Sequence, residues 1–496
     1  MELRAGSLGQ LVSGGGASSA GAAASRVSAG RDIAGQIVLR ALNLALGVGV
    51  TLLLVRALGT DGFGRWSVLL AVIGFVSYFG SLGLAQVAVE RAAGDPDRAA
   101  RWFGALVTLR LALIGPVTLL SLAVCLLIAD DAAMRVAAAF VCATLPLAVL
   151  SSLSVVFQLQ VRNVVVTAIE VGNGILWAAA VGVIALLDGG LVAMAAAFLG
   201  VATITNTAYV VFALRAAPVH FRRSRELWPD LLRQGLPVGI GGLLTLGYGY
   251  VDQVIVFELA GPRDAGLYGA VYRIYERIQF LPAAIMTTLF PLFVAARDTD
   301  PDRVSRLFHT AIDYLLLTSL PALAITLAGP EPITNLLFGS DFDDAAPALP
   351  LLMATFVVVS LGYLTGYLIV AYGLQRKFVL IAIVALVFNV ATNLALVPSY
   401  GFMAAAWLTL ATEILVMSLS MWIVSSAMSL LPTGAHVGRI VLAAATTGLA
   451  AWGLKEAGLP TIVWTVAASA LYALLVVALG VVKPAELRGL VRRGEA

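Results

Sequence analysis

Apolar stretches long enough to cross a bilayer recur along the chain, separated by short polar turns. The spacing predicts about fourteen helices, over roughly 33–58, 64–92, 103–129, 134–157, 165–187, 190–214, 231–259, 265–295, 308–328, 346–371, 376–397, 402–427, 437–456 and 460–482. A helix needs about 20 apolar residues to span the hydrocarbon core, where it satisfies its own backbone groups. The expectation is an all-α polytopic membrane protein.

The first twelve predicted helices read as one six-helix unit written twice. Asp95-Pro96-Asp97-Arg98-Ala99-Ala100-Arg101-Trp102-Phe103 recurs as Asp300-Pro301-Asp302-Arg303-Val304-Ser305-Arg306-Leu307-Phe308. Upstream, Gly59-Thr60-Asp61-Gly62-Phe63-Gly64 answers Gly261-Pro262-Arg263-Asp264-Ala265-Gly266-Leu267-Tyr268-Gly269, and from Gly64/Gly269 onward the copies align without a gap. Six crossings return the chain to its starting side, so the two lobes run parallel about a pseudo-two-fold along the membrane normal. The organisation expected is a disordered cytoplasmic tail over 1–30, an N-lobe over 31–215 and a cytoplasmic linker over 216–232. A C-lobe follows over 233–428, then an added helix pair over 429–482 and a cytoplasmic tail over 483–496.

Composition agrees and adds an orientation. The chain is 60% hydrophobic and 12% charged, with a mean hydropathy of +0.97; soluble domains carry roughly 25% charged residues. If the N-terminus is cytoplasmic, the basic residues on the outer side are only Arg56, Arg65, Arg135, Arg263 and Lys455, out of 31. Both termini are then inside, and the net charge of +3 reflects topology and not a nucleic-acid partner. Residues 1–30 are Gly-, Ala- and Ser-rich and lack the apolar core of a signal peptide. Cys125 and Cys142 read as packing residues.

Charges inside predicted membrane helices are costly and mark functional candidates. Arg273, Glu276 and Arg277 share one helix face at i, i+3 and i+4. They lie ~12–18 Å below the outer surface, counted from Ala265 at ~1.5 Å per residue. In the first copy the aligned residues are Val68, Ala71 and Val72, so the scaffold packs without the charges. Two guanidiniums facing a cavity would suit a diphosphate; the alternative is an interlobe salt-bridge lock. Arg40 and Arg110 fit either the cavity or snorkelling at the boundary, and Asn43 either shares the face of Arg40 or bonds a neighbouring helix. Asp252, Glu413, Glu170 and Asp313 are candidates for coupling to H+ or Na+, with Asp313 equally placed to pair with Arg306 or cap a helix. Tyr272 and Tyr275 flank the charged triplet and would either pack on sugar rings or belong to the core.

The segment Tyr250–Pro291 (YVDQVIVFELAGPRDAGLYGAVYRIYERIQFLPAAIMTTLFP) resembles the Wzx-type polysaccharide flippases and lipid II flippases of the MOP (MATE-like) superfamily. Its counterpart in the first copy looks like the opening of the same proteins, and the resemblance covers about 30–430. It implies two six-helix lobes around a cationic cavity that opens to each side in turn, and a polyprenyl-diphosphate glycan flipped from the cytoplasmic to the outer leaflet. Arg273 and Glu276 match the charged positions of the family's helix eight. Arg40 approximates the helix-one arginine of lipid II flippases, but Ala41 follows where an acidic residue is typical, which favours another glycan. The added helix pair resembles that of the fourteen-helix members, where it forms part of a lipid-tail groove.

The function expected is thus a lipid-linked oligosaccharide flippase of a bacterial inner membrane, serving glycosyltransferases and a polymerase of the same pathway. A MATE-type exporter of organic cations is the alternative, and the central arginines count against it. A membrane glycosyltransferase or ligase would need a sizeable outer domain, and no loop is long enough. His220, His309 and His436 are dispersed, and no nucleotide-binding or metal motif occurs, so neither catalytic residues nor a cofactor are expected.

Overall fold

The computed structural model describes residues 19–92, 96–153, 163–216, 224–428 and 436–481. Among them there are helices and turns and no strand. The N-lobe comprises α1 (Ser19–Ser77), α2 (Leu84–Ala92), α3 (Pro96–Ile128), α4 (Ala132–Cys142), α5 (Thr144–Ala148), α6 (Asn163–Leu186) and α7 (Leu191–Ala216). The C-lobe comprises α8 (Trp228–Ile278), α9 (Phe280–Ala296), α10 (Pro301–Ala328), α11 (Pro330–Phe338), α12 (Ala348–Ala371) and α13 (Gln375–Met428). The added pair is α14 (Val437–Glu456) and α15 (Thr461–Ala478).

Eleven described segments are long and apolar enough to cross a membrane. Three of these, Leu46–Ala88, Gly242–Ala296 and Gln375–Ser426, run for 43, 55 and 52 residues. As straight helices they would reach about 65–80 Å, more than twice the ~30 Å hydrocarbon core. Each is broken instead at a glycine of positive φ: Gly59 (64°), Gly261 (91°) and Gly401 (56°). A side chain is strained in that conformation. Each long segment therefore supplies two crossings, which brings the total to the fourteen expected.

α1 begins at Ser19, earlier than the sequence reading, which left 1–30 as a tail. The tail at 483–496 and the basic stretch 217–223 of the linker lie outside the described residues. The repeated Asp-Pro-Asp-Arg motif has a local cause in the second copy. Asp300 precedes α10 and its Oδ1 accepts from the backbone N–H of Arg303 at 2.8 Å, while Pro301 opens the helix.

The lobes meet most extensively where α1 packs on α8. Gly64 and Gly266 set this approach. A Cβ on Gly64 would stand 1.9 Å from the carbonyl oxygen of Pro262, and a Cβ on Gly266 would stand 1.9 Å from that of Thr60. Each glycine faces the carbonyl four residues before the other, so the two positions are mates across the pseudo-two-fold. This corrects the alignment of Gly64 with Gly269: the register from Gly59/Gly261 continues unbroken, and the three-residue shift falls later. Arg273, Glu276 and Arg277 then correspond to Ala71, Gly74 and Phe75. The triplet still has no charged mate.

Candidate functional site

Between the lobes lies a cavity of about 530 Å³. Its N-lobe wall is built from α1, α6 and α7, and Arg273 and Arg277 of α8 close it from the C-lobe side. On α6 the cavity face carries Glu170, Asn173, Gly174 and Trp177, at i, i+3, i+4 and i+7. On α7 it carries Phe198, Thr205, Asn206 and Tyr209, again at helical spacing.

Arg273 is half committed. One terminal nitrogen, Nη1, donates to Glu276 Oε2 at 2.8 Å, while Nη2 is buried with no hydrogen-bond partner. Arg277 is exposed to the cavity and makes no ion pair among the described residues. Its guanidinium lies over Gly47, where a Cβ would come within 3.1 Å of Nη1. The local salt bridge joins neighbours on one helix, so it does not lock the lobes together. An orphaned donor beside a second guanidinium is an anion-binding arrangement, because buried N–H groups left unpaired are costly.

Of the other residues singled out from the sequence whose side chains are described, Glu170 lines the cavity and the rest are absent from its lining. Tyr272 and Tyr275 are buried and are absent from the cavity lining; Tyr272 donates to the carbonyl of Gly249 at 3.0 Å, and its ring contacts Tyr268 and Tyr275. Arg110 donates to Ser152 Oγ at 2.5 Å within the N-lobe and is absent from the lining, which Ser151 reaches. Arg40 and Asn43 lie on α1, and their side chains fall outside the described residues. Asp313 accepts from the backbone N–H of His436 at 3.1 Å, and so tethers the start of α14. Glu170, on α6, lines the same cavity as the arginines.

Asp252 heads a separate buried cluster in the C-lobe. It accepts from Asn393 Nδ2 at 3.1 Å, Thr409 Oγ1 at 3.1 Å and Tyr268 Oη at 3.4 Å. The oxygens Asn389 Oδ1, Asn393 Oδ1 and Gln253 Oε1 are buried nearby on the same helices without partners. Glu413 lies one turn beyond Thr409 on α13, near enough to Asp252 for their charges to interact. Among the described residues no group of three His, Cys or acidic side chains could hold a metal ion.

An apolar groove of about 530 Å³ runs between Leu320, Leu323 and Leu327 of α10 and Val441, Gly448 and Trp452 of α14. It is open at the surface, where Leu327 and Trp452 are exposed.

Residues 53–347 match the family described as polysaccharide biosynthesis protein, over more than half of the chain. The chain belongs to that family. Two relatives from Haloferax volcanii, the probable flippase AglR and the probable low-salt glycan biosynthesis flippase Agl15, are 24% identical over 204 residues and 21% over 187. These alignments cover 40% and 38% of the chain, and 42% and 39% of the relatives, so the chain spans about two-fifths of the length of each. Among solved structures, the lipid II flippase MurJ in an inward closed conformation superposes with a TM-score of 0.71 at 10% identity, over 92% of this chain and 99% of that one. An inward-facing MATE multidrug transporter of the MOP superfamily superposes at 0.64 and 16% identity, over 79% and 98%. The fold of this family member is therefore the two-lobed, multi-pass membrane fold of those transporters.

Proposed function

We propose that the protein carries a polyprenyl-diphosphate-linked glycan from the cytoplasmic to the outer leaflet of a bacterial inner membrane, by alternating access of the interlobe cavity and without catalysis. The observation that carries this reading is the pair Arg273 and Arg277 on the cavity wall, with Arg273 Nη2 left unpartnered. A diphosphate supplies oxygens that could pair with both guanidiniums. The apolar groove of α10 and α14 would take the polyprenyl chain while the head crosses, and glycosyltransferases and a polymerase would act before and after transport. A probable flippase and a probable low-salt glycan biosynthesis flippase among the relatives favour the same cargo.

Coupling is assigned to the Asp252 cluster. Its carboxylate and unpartnered amide oxygens are an oxygen-rich, buried set that could take up H+ or Na+ as access alternates. Replacing Arg273 and Arg277 by Ala should leave the protein in the membrane while lipid-linked glycan accumulates on the cytoplasmic leaflet. Normal surface glycan in that strain would remove the assignment.

A MATE-type exporter is the second reading, favoured by a carboxylate, Glu170, and an aromatic ring, Trp177, in the lining of one cavity, groups suited to an organic cation. The arginines of the same cavity repel such a cargo. Unchanged drug resistance on deletion of the gene is the expected result.

A further inference from the structure

The N-lobe wall of the cavity has a composition that holding a diphosphate does not require. Trp66, Trp177 and Phe198 form one aromatic cluster on it: the two indoles stack at 6.0 Å and 24°, and Phe198 meets both edge-on, at 5.5 and 5.4 Å. Trp177 and Phe198 line the cavity half-buried, and the buried Trp66 borders it behind them. Neutral and acidic hydrogen-bonding groups continue along the same two helices within the cavity lining. Asn206 is nine-tenths buried; its Nδ2 is spent on the carbonyl of Ala202, and its Oδ1 has no partner. Asn173 accepts from Thr205 Oγ1 at 2.8 Å, which orients its amide N–H groups away from that bond. Glu170 lies one turn before Asn173 on the same face.

Aromatic faces beside a few fixed acceptors and donors, with no cation among them, match the chemistry of a pyranose. Its C–H faces pack on indole rings, and its hydroxyls need both acceptors and donors. The arginines come from α8 of the C-lobe, with Arg277 lying over Gly47 of α1, while the aromatic and amide groups are carried by other helix faces of the same cavity. We propose that Trp177 and Phe198, held in place by the buried Trp66, form with Asn173, Asn206 and Glu170 the subsite for the sugar next to the diphosphate. This rests on the flippase reading above and extends it: the arginines recognise what all polyprenyl-diphosphate lipids share, and the N-lobe wall distinguishes glycosylated from bare carriers.

The test is binding by full-length protein in detergent, measured with undecaprenyl diphosphate and with the same lipid carrying glucose, galactose or N-acetylglucosamine. For the wild type, at least one glycosylated lipid should bind about three- to tenfold more tightly than the bare lipid, the contribution expected of one aromatic contact. Trp177→Ala should abolish that preference and leave affinity for the bare lipid unchanged. Trp177→Phe should retain part of it. Asn173→Ala, which removes no core volume, should lower the preference without affecting the bare lipid, and so keeps the test open if Trp177→Ala does not fold. Three results overturn the subsite: no preference in the wild type for any of the three sugars, full preference in both Trp177→Ala and Asn173→Ala, or an equal loss for bare and glycosylated lipid in both. The first two leave the diphosphate reading standing if Arg273→Ala still weakens binding of the bare lipid. Failure of the wild type to bind any of the four lipids overturns both.

Discussion

Gly64 and Gly266 face each other across the pseudo-two-fold, each against the carbonyl that lies four residues before its mate. With no Cβ on either side, the backbones of α1 and α8 touch beside the Gly59 and Gly261 turns. Gly269 extends the seam, because a Cβ there would come within 2.9 Å of Ser67 Oγ. The two lobes are thereby sealed on this side of the cavity, and small residues make such close approach possible in membranes.

Valine at either Gly64 or Gly266 should hold this seam open. A carbonyl 1.9 Å from the new Cβ cannot be accommodated without parting the helices. The expected outcome is lost transport with normal membrane insertion, and faster labelling of a cysteine placed at Ser67. Cys125 and Cys142 are both buried, so the background of that assay is low.

Arg273→Ala and Arg277→Ala should each lower affinity for a diphosphate lipid by about ten- to hundredfold, as expected for a charge-assisted hydrogen bond of ~1.5–3 kcal/mol. Thermal stability should hardly change, because Ala71 and Phe75 occupy the corresponding places in the first copy. Arg273→Lys should recover only part of the affinity, since an ammonium lacks the planar fork. Isothermal titration and a melting curve on the same preparations check both statements.

Gly47→Val offers an independent probe of the site. The new side chain would meet the Arg277 guanidinium, only 3.1 Å from the position of its Cβ. Affinity for the diphosphate lipid should fall although both arginines remain, and a crystallographic or labelling measurement should find Arg277 displaced.

Asp252→Asn should uncouple transport from ion gradients. The amide keeps the size of the carboxylate and can still bond Asn393 and Thr409, but carries no charge to exchange. Flipping measured with and without an imposed H+ or Na+ gradient should then be the same.

Asp264 secures the third glycine turn. Its Oδ2 accepts from the backbone N–H of Phe402 at 3.0 Å, just after Gly401. Asp264→Ala removes this helix cap and should destabilise the C-lobe by about 1 kcal/mol, visible as a lower unfolding temperature.

The fourteen crossings and their doubling were legible because apolar length and repeated turn motifs are local properties of the sequence. Arg273 and Arg277 stood out for a similar reason, as charges in an apolar run. Trp66, Trp177 and Asn206 did not, since neutral residues in membrane helices become a site only when particular faces of α1, α6 and α7 converge. The stripe Glu170-Asn173-Gly174-Trp177 was the available signal. Tyr272 and Tyr275 seemed to flank the charged triplet along the chain, but they point about one residue's rotation away from it, into the core. That Gly266 and not Gly269 is the mate of Gly64 could be decided only by the carbonyls that Gly64 and Gly266 touch.

The most direct test of the central claim uses proteoliposomes loaded with a fluorescent polyprenyl-diphosphate sugar. Wild-type protein should make the glycan head accessible to an impermeant quencher or glycosidase on the far side, and the Arg273→Ala, Arg277→Ala double variant should not. Equal flipping by wild type and double variant would contradict the account.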